Sequence, residues 1–161
     1  MLSEQVQGMR VTQALAGAAA GAVVDGKHDR GELTLEIDAA RIAEVCRFLK
    51  SDKYERLAAV TCVDVYPMEP RFEMIYHMHS IARNERVRLK CKVGGERPEI
   101  ESVFPVYRGA DWYEREVFDL FGVFFRNHPN MTRILMPDDW EGHPLRKDYP
   151  VHGHKYSYSR E

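Results

Sequence analysis

Little in this sequence could hold a redox centre. Its three cysteines, Cys46, Cys62 and Cys91, are widely spaced and never form a C-x-x-C pair, which argues against disulfide staples and against a cluster that needs four thiolates. Each has Leu, Val or Phe within two residues, so all three are expected as small buried hydrophobes. No Gly-rich loop follows a strand and opens a helix, which excludes the dinucleotide fingerprint and the phosphate loop; Gly94-Gly95 reads as a hairpin turn. Serine nucleophile elbows and Cys/His motifs are absent. No window approaches the roughly 18 consecutive apolar residues of a membrane span. The Ala/Gly-rich stretch from Ala14 to Val24 is short, and Ser3, Glu4, Gln5 and Gln7 precede it where a signal peptide would carry basic residues, so a cytosolic chain is expected. A formal net charge of -2 leaves no excess cation for a general nucleic-acid binder.

What is present suits one domain with a tail. The 161 residues, 44% hydrophobic and 30% charged, can bury one core and not two comfortable ones. A short helix is predicted from Met9 to about Ala20, followed by a turn-rich loop at Asp25-Gly26-Lys27-His28-Asp29-Arg30-Gly31. Leu33, Leu35 and Ile37 alternate with Thr34 and Glu36 as a strand, and Asp38 offers an N-cap to a helix with Ile42, Val45, Cys46 and Leu49 on one face. Leu57 to Tyr66, Arg71 to Ser80 and Arg86 to Val93 read as three consecutive antiparallel strands. The fold class that follows is α+β: a two-layer domain over residues 1–122, with helices on one face of a mainly antiparallel sheet.

Beyond Gly122 the chain changes character. Half of its eight prolines, Pro129, Pro137, Pro144 and Pro150, fall in residues 123–161, a density that favours extended chain over helix or central strand. The same segment carries Phe124, Phe125, Met131, Ile134, Leu135, Trp140, Leu145 and Tyr149, too much apolar bulk for a disordered tail. It is therefore expected as an extended C-terminal tail that docks on partner subunits, down to the polar terminus at Lys155 to Arg160.

The densest chemistry lies at Trp112-Tyr113-Glu114-Arg115-Glu116-Val117-Phe118-Asp119-Leu120-Phe121-Gly122. At 100° per residue, Tyr113, Val117, Leu120 and Phe121 form an apolar stripe and Asp111, Arg115 and Asp119 stand opposite. Glu114 falls between Phe118 and Phe121, where a carboxylate is costly without a cation or several N–H donors. The reading is a structural ion pair in preference to a proton-transferring group. Glu114, Glu116 and Asp119 face Arg126, Arg133, Arg146 and Lys147 of the tail, and Arg suits bidentate carboxylate pairing. The expectation is that Arg133 or Arg146 neutralises Glu114 and clamps the tail. Candidate metal ligands are His77 and His79, which share a strand face, and His143, His152 and His154. Neither group completes a tetrahedral ligand set, and His128 and His143, each before proline, read as turn anchors.

The runs Glu114-Arg115-Glu116, Asp119-Leu120-Phe121-Gly122, His128-Pro129, Arg133-Ile134-Leu135 and Gly142-His143-Pro144-Leu145-Arg146-Lys147-Asp148-Tyr149-Pro150 together resemble the signature of the 30-kilodalton subunit of respiratory complex I. The family is also known as the C-type subunit of NADH-quinone oxidoreductase. Val60 to Pro67 and Phe72 to Ser80 resemble its sheet region. One departure is Thr132, where members usually carry a basic residue. The resemblance implies a cofactor-free structural subunit in the peripheral arm, on the cytoplasmic side of the cell inner membrane and reaching the membrane only through partners. Those would be the D-type, quinone-site subunit, fused to the C-type in some members, and the B-type subunit with the terminal iron–sulphur cluster. The parent complex, with FMN, iron–sulphur clusters, NADH and quinone, would pass electrons from NADH to quinone coupled to proton translocation. Glu114, Arg115, Glu116, Asp119, His128, Arg133, His143, Arg146, Lys147 and Asp148 would serve structure and interfaces, with no catalytic, cofactor or metal residue. The alternatives are an equivalent scaffold in a membrane-bound hydrogenase or a ferredoxin- or deazaflavin-fed quinone reductase, and a stand-alone metal enzyme using His77, His79 and a carboxylate.

Overall fold

The structure, a computed structural model, describes residues 2–150. The expectations on His152, His154 and the terminus from Lys155 lie outside them. Two short helices, α1 (Glu4–Gln7) and α2 (Arg10–Ala18), lead into strands β1 (Val23–Asp29) and β2 (Glu32–Ile37). The Asp38 carboxylate accepts from the Ala40 N–H at 3.0 Å and starts a single 3-10 turn, Ala39–Arg41, which runs into α3 (Ile42–Ser51). Strands β3 (Arg56–Asp64), β4 (Phe72–Ser80) and β5 (Glu85–Val93) then form the expected antiparallel meander.

The turn-rich loop expected at 25–31 is instead the body of β1, which pairs antiparallel with β2 and turns at Arg30 and Gly31. Its polar residues conceal a strand because β1 is an edge and has little apolar surface to bury. Gly26 is required by close approach: a Cβ there would come within 2.9 Å of the Leu2 and Val6 side chains. Strand β2 pairs in parallel with β5, so the sheet order is β1-β2-β5-β4-β3 and the central strand is the last one made.

The two-residue period of each strand sorts side chains to opposite faces. Phe72, Met74, Tyr76 and Met78 of β4 and Val87, Leu89, Cys91 and Val93 of β5 point into one core with Ile42, Val45, Cys46 and Leu49 of α3. Burial raises the thiol pKa values, that of Cys62 to about 12, so all three free cysteines act as packing groups. The opposite face carries Glu73, His77 and His79 of β4 and Arg86, Arg88, Lys90 and Lys92 of β5.

Gly94-Gly95 does turn the chain, but no hairpin results. The chain leaves the main sheet there for β6 (Glu99–Glu101), which pairs in parallel with β7 (Phe124–Arg126). Helix α4 (Ala110–Phe121) lies between them in sequence and packs on β3. Val123 and Phe125 are fully buried, so the core continues past Gly122 and the irregular tail starts after Arg126. No helix among the described residues is long and apolar enough to cross a membrane.

Candidate functional site

Helix α4 turns two carboxylates inward, Glu114 and Asp119, both 0% exposed. They are five residues apart and therefore about 140° apart around the axis, so they enter different layers. Glu114 enters the core, and Asp119 enters a second layer made by the tail. Asp119 lies on the same side of the helix as Arg115, opposite the apolar stripe, and the tail covers that side.

Asp119 is surrounded by donors. It accepts from Arg133 Nη1 at 2.5 Å and from the backbone N–H of Ile134, Leu135 and Met136 at 3.0, 2.8 and 2.9 Å. Burial alone would raise its pKa. The Met136 N–H, the Arg133 guanidinium and the N–H groups of Leu135 and Ile134 outweigh burial and hold it below the usual aspartate value. Arg133 also donates to the carbonyls of Trp140 and Gly142, both at 3.0 Å, so one guanidinium ties the helix to two later points of the tail. Arg115 secures the intervening chain by donating to the carbonyls of Thr132 and Arg133 at 3.1 and 3.0 Å.

Glu114 has no cation. It accepts from the Ser102 hydroxyl at 2.6 Å and the Val103 N–H at 2.7 Å. Burial dominates these two bonds and pushes the carboxyl up to about 7. The expectation that Arg133 or Arg146 neutralises Glu114 is thus overturned: Arg133 belongs to Asp119, and Arg146 donates to the Phe121 carbonyl at 2.6 Å. His128 packs against Glu114 instead, its side chain 0% exposed, with Nε2 3.9 Å from Glu114 and 3.5 Å from Asp111. Its Nδ1 accepts from the Asn130 N–H at 3.1 Å, which places the neutral ring's proton on Nε2, facing the two carboxyls. Burial lowers the His128 pKa. His128 Nε2 makes no hydrogen bond among the described residues, and the hollows lined by Glu32 and His77, Lys27 and Arg30, Arg47 and Pro105, or Met9 and Tyr54 do not reach Glu114.

The tail also finishes the helix. An α-helix leaves its last carbonyls without intrahelical partners. Here the Asp119 carbonyl accepts from Arg133 Nη1 at 3.2 Å and from His143 Nδ1 at 2.9 Å, and the Leu120 carbonyl accepts from the Leu145 N–H at 3.0 Å. Arg146 completes the set on Phe121. Two guanidiniums at a helix C-terminus also suit its partial negative charge. Gly122 caps the helix at φ +76, and a Cβ there would overlap Arg146 and His143, so any other residue would be strained and would displace those two side chains.

A third fastening joins the tail to the sheet. Arg71 forks to Asp64 at 2.9 and 2.7 Å and to Asp148 at 2.9 and 2.5 Å, while the Lys147 N–H donates to Asp64 at 2.8 Å. Arg71 lies 5.2 Å from the centre of the Phe72 ring, as does Arg146. Burial would raise the Asp64 pKa, but Arg71 and the N–H groups of Lys147 and Tyr66 hold it far below the usual range. Sequence reasoning missed Asp64, Arg71 and Ser102. For Asp64 a signal existed, since the period that buries Val60 and Cys62 buries Asp64 as well. Of the expected residues, Glu116 faces solvent and Lys147 contributes its backbone with an exposed side chain; the rest converge as described. Among the described residues no three His, Cys, Asp or Glu side chains are grouped to hold a metal.

Comparison with known proteins accounts for this pattern. The C-type subunit of NADH-quinone oxidoreductase from Citrifermentans bemidjiense is 45% identical over 135 residues, covering 83% of this chain and 84% of the relative. Its counterpart from Geobacter sulfurreducens is 46% identical over 136 residues, with 83% and 84% covered. That of Salinispora tropica is 48% identical over 134 residues, 81% of this chain, but this chain spans only 55% of that longer relative. A trypsin-resistant fragment of Nqo5 superposes with a TM-score of 0.66 at 27% identity, over 76% of this chain and 99% of the fragment. A chain of the membrane-bound sulfane sulfur reductase, an archaeal respiratory membrane complex, superposes with a TM-score of 0.76 at 28% identity, over 88% of this chain and 84% of that one. The sequence model of the respiratory-chain NADH dehydrogenase 30 Kd subunit matches residues 35–155, spanning β2 to the clamped tail, and this chain belongs to that family.

Proposed function

We propose that this chain is a cofactor-free structural subunit of the peripheral arm of an NADH-quinone oxidoreductase, on the cytoplasmic side of the membrane. It supports the quinone-reduction module against the quinone-site subunit and the subunit holding the terminal iron–sulphur cluster. One observation carries this reading: the tail is pinned at Asp119, at the end of α4 and at Arg71, yet its apolar side chains Leu135 and Leu145 stay 61% and 51% exposed. Trp112 and Phe124 on and beside α4 are 61% and 46% exposed. A segment held this firmly with large apolar groups outward is a preformed docking surface, because the ordering cost of binding is already met within the chain. The parent enzyme's FMN, iron–sulphur clusters, NADH and quinone would then belong to other subunits, and this chain would perform no chemistry itself.

A second reading keeps the scaffold and changes the machine. The superposition on the chain from the sulfane sulfur reductase supports it, since one platform can serve respiratory membrane complexes with different electron acceptors. Replacing Leu135 and Leu145 together by Asp tests the shared element. Yield of the assembled complex from gently solubilised membranes should fall at least about tenfold while the purified chain melts as before, as expected when central apolar anchors are lost. Unchanged yield would count against a docking tail. The proteins that co-purify with the wild-type chain distinguish the two machines: a flavin-bearing NADH module supports the first and its absence the second.

A further inference from the structure

The face of the sheet that carries no helix is electrostatically uneven. At one end its cations are matched: Lys90 contacts Glu73 at 2.5 Å and Lys92 contacts Glu36 at 2.8 Å. At the other end the register sets arginines beside histidines and no carboxylate. Arg56 stands opposite His79 and His79 opposite Arg86; in the next row Ala59 stands opposite His77 and His77 opposite Arg88. These side chains, with Ala58 and Glu32, line a hollow of about 430 Å³. The two alanines, at an irregularity in β3, leave the room.

Three guanidiniums meet one carboxylate there. Arg88 spends its Nε on Thr34 at 2.9 Å, and Arg56 and Arg86 have no hydrogen bond or ion pair among the described residues. Like charges on one sheet face repel, so this fold carries a cost that the matched end of the same face avoids. His79 Nε2 is enclosed in this region without a hydrogen-bond partner. Such a set is suited to carboxylates, which guanidiniums hold through paired N–H donors.

We propose that this hollow seats an acidic segment of a neighbouring protein of the complex, lying extended along β5 with carboxylates on alternate residues. The spacing follows from strand geometry: Arg86 and Arg88 lie two residues apart on one face, about 6.6 Å, which is the repeat of same-side residues in an extended partner. The proposal rests on the scaffold reading but uses a surface remote from the tail residues on which that reading stands.

The test places a photo-activated benzoylphenylalanine at position 77 in the full chain, within the assembled enzyme from solubilised membranes. The expected product is a cross-link to another subunit through a peptide with Asp or Glu at alternate positions. Arg56→Glu with Arg86→Glu should cut its yield at least about tenfold, as reversal of charge-assisted contacts would. Arg56→Ala with Arg86→Ala should give a smaller loss, and both variants should melt no lower than the parent because the replaced groups are exposed and their mutual repulsion is relieved. A cross-link to a peptide without acidic residues, to lipid, or to nothing in an intact complex overturns the proposal and leaves the scaffold standing. A chain recovered without other subunits removes both.

Discussion

Glu114 and Asp119 are carboxylates on the same helix, both closed to solvent with Glu114 the deeper, and the protein treats them oppositely. Asp119 meets a guanidinium and three backbone N–H groups and stays ionised. Glu114 meets one hydroxyl and one N–H and titrates near neutrality. Burial alone does not decide the charge of a group; the number and charge of the donors brought to it do. The donors at Glu114 come from the loop after β6, part of the folded core. Those at Asp119 come from the tail, so the ionised state of Asp119 and the docking of the tail are one equilibrium.

The largest expected effect breaks the pair at its ionised member. Asp119→Ala leaves Arg133 and three N–H groups without their acceptor and should cost roughly 3–5 kcal/mol, the range for breaking a buried ion pair. Denaturant unfolding measures the loss, and limited proteolysis should now cut between Arg126 and Arg146, where the parent resists.

Next comes the uncharged member. Because the folded pKa of Glu114 lies above its ordinary value of 4.5, its contribution to stability is fully present below about 4.5 and is lost as pH rises through about 7. The upper bound is about 3 kcal/mol at 1.36 kcal/mol per unit. Asp119, held low, has the opposite sign and loses its contribution only in acid. Glu114→Gln keeps both hydrogen bonds and cannot ionise, so its melting temperature should exceed the parent's at about pH 8 and approach it at about pH 5. Parallel pH profiles for the two proteins would show that Glu114 is ionised throughout.

A smaller change separates the carboxylates from the tail itself. Gly122→Ala touches neither, but it forces a left-handed residue and crowds Arg146 and His143. A cost of roughly 2 kcal/mol is expected, with the Asp119 contacts kept; a full loss of tail protection would mean that the helix end, and not Asp119, governs docking. The smallest effect is the control on the same helix. Glu116→Gln at the exposed surface should move stability by less than about 0.5 kcal/mol in thermal unfolding.

The sequence made some of this legible and concealed the rest for identifiable reasons. Strands β3 to β5 and the buried face of α3 follow from periodicity, because each packs against a single core. Helix α4 follows only in part, since a wheel groups Asp119 with Arg115 but does not show that a second layer covers that side. The identity of Glu114 as an awkward carboxylate is readable from its position between aromatic residues. Its partners are not, because Ser102 and Val103 lie on a loop with no periodic signal, and the choice between Asp119 and Glu114 as the target of Arg133 is made in three dimensions. The joining of Asp64 to Arg71 and to the far end of the tail at Lys147 and Asp148 spans most of the domain and leaves only the parity of Asp64 as a trace.

The capping of α4 by the tail also bears on how the chain is made. The last turn of the helix depends on His143, Leu145 and Arg146, and Arg146 leaves the ribosome 24 residues after Gly122. At roughly 5–20 residues per second this is a delay of about one to five seconds. Until then the end of α4 lacks its Leu145 and Arg146 partners, although Asp119 can already meet Arg133 and the N–H groups of Ile134, Leu135 and Met136. A nascent chain therefore lacks the finished end of α4 until synthesis has passed Arg146.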